Sequence, residues 1–244
     1  MPSSGVVLAH LVYPLFSLPS AAEMEFLGTS FVAAPGILVT CWHCVESAVK
    51  AGSRICVMSV ARTEPAFVVL RDIAQDANGA DLATASVNVI PVGPMPRLSS
   101  PIVTPTDVCT WGYPLTRFER KTPDDPGTYR LEPRYLQGYV TRYFVHDAGR
   151  FGRARSYEMD MPAPAGLSGA PLVRVGSDEV VGVIYGTLDV ARSEEAATVD
   201  PETGVRTPEV QRIVSFALAY HTLALAAVRG AATGGRSLSE LMPA

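Results

Sequence analysis

The sequence predicts an all-β protein, on three observations. Twenty prolines and twenty glycines are scattered among short apolar runs, which is the punctuation of many short strands and tight turns. The runs "EFLGTSFVAA", "GILVTC", "SRICVMSV", "AFVVLRDIA", "LATASVNV", "DVCTWGY", "LQGYVTRYFV", "APLVRV" and "EVVGVIYG" are short and end at Gly, Pro, Asp or Asn. A Pro-rich stretch without periodicity, "VGPMPRLSSPIVTPTD" at 92–107, divides them into two groups of similar size. The predicted organisation is a β module over 1–92, a linker over 93–107, a second β module over 108–206, a helix over 207–229 and a loose tail over 230–244. With 244 residues, 48% of them hydrophobic and 18% charged, the chain can bury a core of that size.

The N-terminal "VVLAHLVYPLFSLPSAA" reads as a buried first strand. A secretory leader would begin with basic residues, but "MPSSG" has none, and His10, Pro14 and Pro19 interrupt the run. It also falls short of the ~20 apolar residues of a membrane span. At the other end, Thr207 as N-cap and Pro208 at the first helical position introduce "EVQRIVSFALAYHTLALAAVR", which stops before Gly230. The charged stretch "DVARSEEAATVDPETGVRT" at 189–207 has few apolar residues and reads as a solvated loop.

Charge narrows the partners. Net charge is −4, and no basic block exceeds the "RFERK" of 117–121, so there is no footprint for nucleic acid. Four cysteines in a chain this long are not a disulfide framework, and a reducing, cytoplasmic compartment fits them, with secretion as the alternative. "CWHC" offers Cys41, His43 and Cys44, but a tetrahedral zinc site needs a fourth ligand that no second Cys/His pair supplies. No metal or cofactor is expected.

"APAGLSGAP" at 163–171 places one hydroxyl, Ser168, between Gly166 and Gly169. A serine hydroxyl is a weak nucleophile at neutral pH and needs an imidazole within hydrogen-bond reach to take its proton. His43 is the candidate base. A neutral histidine with pKa near ~6.5 can take that proton and return it, provided a carboxylate holds its other nitrogen in the right tautomer. Asp81, directly before an apolar strand, is the candidate orienter. Asp72 and Asp76 compete, although "LRDIAQDANGA" reads as a strand end and turn. The amides of Gly166 and Ser168 are the candidates for stabilising a carbonyl oxyanion. Gly166 would free the backbone to aim its amide, and Gly169 would leave room for substrate and base. Taken singly, His43 suits a core histidine and Asp81 a turn residue. Their joint order along the chain is what carries the reading.

That order has a family parallel. "GTSFVAAPGILVTCWHCV" resembles the strand–turn–strand–histidine segment of chymotrypsin-like (trypsin-fold) serine proteases, "GADLATASV" the segment that presents their carboxylate, and "PAGLSGAPLV" their nucleophile loop. The resemblance spans about residues 5 to 229 and is to signal-less bacterial members. It implies two antiparallel Greek-key β-barrels with a C-terminal α-helix, and a serine endopeptidase with His43, Asp81 and Ser168 as its triad. It further implies a substrate pocket walled by Pro162, Ala163, Tyr185, Gly186 and Thr187, all uncharged. Asp160 is the group that could reverse that preference towards Arg or Lys. The implied partner is a protein or peptide substrate, by family analogy a dedicated stress or defence protein. A catalytically silent peptide-binding scaffold and a triad esterase are the other readings of the same motifs.

Two departures carry further expectations. Leu167 stands where secreted members have an Asp that pairs with a newly cut N-terminus, so activation by N-terminal trimming is not expected. The family's disulfide beside the histidine would need a cysteine near Leu27, so Cys44 is expected to be a free thiol.

Overall fold

The apolar run after His10 forms β1 (Val12–Leu18), buried along nearly its whole length, in agreement with the strand reading. The computed structural model describes residues 10–19, 24–59, 66–89, 93–119, 128–192, 198–199, 203–204, 206–207 and 212–243. After β1 come β2 (Glu25–Ala34), β3 (Ile37–Thr40), helix α1 (Trp42–Lys50), β4 (Arg54–Ser59), β5 (Ala66–Val69), β6 (Arg71–Gln75) and β7 (Ala83–Ser86). They form an antiparallel sheet in the order β5-β4-β1-β2-β3-β7-β6. "AFVVLRDIA", expected as one strand, is divided at Leu70, and Asp72 just beyond takes a positive φ of 50°. Its first half pairs with β4 and its second with β7, so the two sheet edges are consecutive in the chain and the sheet curls shut. Tyr13, Leu15, Val32, Leu38 and Val57 fill the interior.

The second half contains β8 (Arg97–Leu98), β9 (Thr106–Gly112), β10 (Arg117–Glu119), β11 (Thr128–Arg130), β12 (Arg134–Asp147), β13 (Arg153–Met159), β14 (Pro171–Arg174), β15 (Glu179–Arg192), β16 (Thr198–Val199), β17 (Arg206–Thr207), β18 (Arg212–His221) and helix α2 (Thr222–Ala227). Its main sheet runs β14-β9-β12-β13-β18-β15-β8, and an additional β14–β15 pairing closes the ring. Val108, Val140, Tyr157, Met159 and Leu172 pack inside. The stretch expected as a linker contributes β8, which pairs in parallel with the start of β15. Together these are the two closed antiparallel sheets and C-terminal helix of the chymotrypsin-like fold.

The C-terminal helix is much shorter than the 207–229 expectation. Thr207, the expected N-cap, lies in β17, Pro208 is outside the described residues, and Arg212–His221 is a strand. β18 lies between β13 and β15, so its apolar run is buried from Ala217 to Tyr220 and has no alternation to betray a strand. Only α2 is helical, capped by the His221 ring, which accepts from the Leu223 amide at 3.0 Å. In the stretch read as a solvated loop, β15 and β18 continue pairing out to Arg192 and Arg212, while 193–197 and 200–202 lie outside the described residues.

The tail after Gly230 is also not loose. Leu238 and Met242 are buried in the same cluster as Leu225 and Val228, and Ser237 and Glu240 form a capping box. That cluster draws Val12, Phe31 and Leu82 from the first barrel and Cys109, Val180 and Tyr220 from the second. The interface between the barrels is therefore itself a core, and the candidate site lies along it.

Candidate active site

His43 is the second residue of α1, which starts where β3 ends at Thr40. Asp81 stands two residues ahead of β7, the strand paired with β3, so strand pairing brings the two together across 38 residues of sequence. Asp81 is buried and grips His43 twice. One carboxylate oxygen accepts the His43 backbone N–H at 2.7 Å, and the other meets Nδ1 at 2.6 Å. An ionised carboxylate only accepts, so Nδ1 carries the proton and Nε2 is left as the basic nitrogen. Burial draws the imidazole pKa down, but the Asp81 hydrogen bond, with the Cys44 thiol beside it, overcomes this and raises it well above 6.5.

The competing carboxylates are elsewhere. Asp72 is exposed and accepts from the Ser86 hydroxyl at 2.8 Å. Asp76 is buried but serves the backbone, accepting from the amides of Asn78 at 3.2 Å, Ala80 at 3.4 Å and Arg229 at 3.0 Å.

Ser168 lines the same cleft as His43, together with Glu25, Phe26, Leu27 and Gly166. Its hydroxyl donates to the Tyr185 carbonyl at 3.3 Å. The loop that carries it is fastened to the first barrel: the Thr29 amide donates to the Ser168 carbonyl at 3.0 Å, and the Thr29 hydroxyl to the Gly166 carbonyl at 2.7 Å. Thr40 in turn donates to the Thr29 carbonyl at 2.7 Å. Sequence reasoning missed both threonines. Their one trace was a buried hydroxyl on an otherwise apolar strand, which must find a partner.

The two amides proposed for the oxyanion are turned by their neighbours. The Ala165 carbonyl accepts from Leu115 and the Leu167 carbonyl from Ala170, both at 3.0 Å. In a trans peptide the N–H points opposite the C=O, so the Gly166 and Ser168 N–H groups face away from these anchors, and neither donates within the described residues. Gly166 has φ +93°, and a Cβ there would come within 2.8 Å of the Phe26 ring. Gly169 has a different role from the one expected. At φ +90° its would-be Cβ overlaps the Thr29 carbonyl and Thr40 hydroxyl, so the glycine admits the first barrel's backbone and not substrate.

Of the five wall positions, Pro162 and Thr187 are exposed, and Ala163, Tyr185 and Gly186 are half-buried. The Thr187 hydroxyl donates to the Ala163 carbonyl at 2.8 Å and ties the two segments together. The Tyr185 ring lies tilted against Tyr220, with centroids 4.4 Å apart, and its hydroxyl meets Ser156 at 3.1 Å and His146 at 3.2 Å. Asp160 is exposed and accepts from the Tyr139 amide at 2.7 Å. Leu167 is fully buried among Met161, Ala170 and Leu172.

All four cysteines are free thiols, and the position facing Cys44 is Gly28, which has no side chain to pair with it. Cys41, His43 and Asp81 bring potential metal-ligand atoms within 4.8 Å of one another. Burial pushes the Cys41 thiol well up, and it donates to the Ile184 carbonyl at 3.3 Å, which suits a protonated thiol and not a thiolate ligand.

Residues 28–183 match the model of the trypsin-like peptidase domain. No curated protein matches the chain. Among solved structures it is similar to the active form of the Rv3671c protease from M. tuberculosis, with TM-score 0.57 and 19% identity, over 89% of this chain and 78% of that one. It is also similar to the HtrA-type protease AlgW with a decapeptide, with TM-score 0.58 and 15% identity over 90% and 63% of the two chains. The MamO protease domain from Magnetospirillum magneticum aligns with TM-score 0.57 and 15% identity over 89% and 95%. These likenesses carry the fold, and the domain match carries the family: the chain belongs to the trypsin-like peptidases, which are serine protease hydrolases.

Proposed function

We propose that the chain is an endopeptidase in which His43, Asp81 and Ser168 form the triad. The observation that carries this reading is the double grip of Asp81 on His43, which fixes the ring and its tautomer at the edge of the cleft that Ser168 lines. In the free enzyme the Ser168 hydroxyl rests on the Tyr185 carbonyl, and rotation about its Cα–Cβ bond hands its proton to His43 Nε2 when substrate enters. The oxygen then attacks the scissile carbonyl, and negative charge develops on the carbonyl oxygen between the Gly166 and Ser168 amides. The imidazolium returns the proton to the leaving amine, and water releases the acyl group by the same steps in reverse.

The substrate is a protein or peptide. The pocket beside Ser168 takes a small uncharged side chain, because Thr187 spans its walls and Asp160 is engaged elsewhere. A dedicated partner protein in the cytoplasm is the setting proposed from the sequence. A fluorophosphonate probe tests the core of the reading. It should label the full chain at Ser168 and fail on Ser168→Ala, and absence of labelling on the unmodified protein would favour the silent scaffold.

A further inference from the structure

We propose that a cavity lined by Ala80, the residue before Asp81, and separate from the cleft is a binding site for a small organic anion with an apolar body. The cavity has a volume of about 280 Å³ and shares no lining residue with the cleft. Phe151, Tyr220, Leu223 and Ala224 give it an apolar wall. Arg153 and Arg155 stand at its edge, two residues apart on β13 and so on one face of the strand.

These two arginines differ from their neighbours. On the same hairpin, Arg142 is held by Glu158 and Arg150 by Glu46. Among the described residues, no carboxylate pairs with Arg153 or Arg155. Asp147, opposite Arg153 in the ladder, uses an oxygen on the Gly149 amide. The charge of Arg155 is felt locally: burial, and then this guanidinium, lower the pKa of His221. An apolar hollow beside two guanidiniums that have no carboxylate partner among the described residues is complementary to a carboxylate on a hydrocarbon body. At about 30 Å³ per water-sized group, the volume suits a ligand of about ten non-hydrogen atoms.

The inner wall touches the catalytic machinery. Ala80 precedes Asp81 in the chain, and the Tyr220 ring lies 4.4 Å from that of Tyr185, whose carbonyl holds the Ser168 hydroxyl. An occupant would thus lie against residues that adjoin Asp81 and Tyr185.

Binding does not depend on the peptidase reading, so the test measures binding alone. Calorimetric or NMR titration of the full chain with phenylacetate should show one saturable site with a dissociation constant on the order of 1 mM. Phenylacetamide, of the same shape without the charge, should bind at least tenfold more weakly. Arg153→Gln combined with Arg155→Gln should weaken phenylacetate at least tenfold, and Ser168→Leu, which crowds the cleft, should leave its binding intact. The proposal is overturned by no saturable binding, by equal affinity for acid and amide, by indifference to the double variant, or by loss of binding in Ser168→Leu. The acid–amide comparison uses unmodified protein, so it decides even if the variant fails to fold.

Discussion

The Arg229 backbone amide donates to the buried Asp76 carboxylate at 3.0 Å, and the Arg229 carbonyl accepts from Ala77, so residues 153 apart are stapled together. Asn78 adds a third tie, its side chain donating to the Ala227 carbonyl at 3.3 Å. The staple fixes the turn that ends at Asp81. Asp76→Ala would leave several backbone donors without an acceptor, and should cost about 2–4 kcal/mol of stability. If Asp81 shifts by even ~1 Å, kcat should fall by roughly tenfold to a hundredfold. Thermal melts and peptide turnover check both, and a loss of stability with kcat untouched would show that the staple does not position Asp81.

Ser168→Ala and His43→Ala should each lower kcat by ~10⁴ to 10⁶ without changing the fold. Asp81→Asn should cost on the order of 10⁴, because an amide supports the wrong tautomer. Asp72→Asn should be neutral, since among the described residues that side chain meets only Ser86. Turnover of the four purified variants is the measurement, and damage at Asp72 with Asp81 silent would reassign the orienter.

His43 acts as a base only when neutral, and Asp81 raises its pKa above 6.5. The acid limb of the kcat/KM profile should therefore lie above pH 6.5, with activity still rising towards alkaline pH. The same shift bears on stability. Because the folded-state pKa is the higher one, its contribution is fully present below about pH 6.5 and is lost as pH climbs through the folded value. Asp81→Asn should move the activity limb to lower pH, and a limb that stays in place would separate it from the His43–Asp81 pair.

Thr187→Gly removes the hydroxyl that bridges to Ala163 and should open the pocket. The unmodified protein is expected to cleave after small uncharged residues, and the variant to gain roughly tenfold or more for Leu or Phe at that position relative to Ala. Profiling on a peptide library reads this directly. A strong Arg or Lys preference in the unmodified protein would instead bring Asp160 back into the pocket.

How much of this was legible in the sequence varies element by element. Short apolar runs bounded by turn residues identify strands such as Glu25–Ala34 and Arg54–Ser59, because the Gly and Pro that end a strand are a local signal even where both of its faces are buried. The candidates His43, Asp81 and Ser168 stood out because the chemistry proposed for them restricts residue type within short motifs. Arg212–His221 did not, since a strand buried between two others loses its alternation and its Ala and Leu content favours a helix. Only the tertiary structure decided that Gly169 makes room for Thr29, that Thr187 ties to the Ala163 carbonyl, and that Asp76 anchors the C-terminal segment. Each of these is a contact between residues far apart in the chain, fixed by the closing and docking of two barrels, and no local pattern encodes such distances.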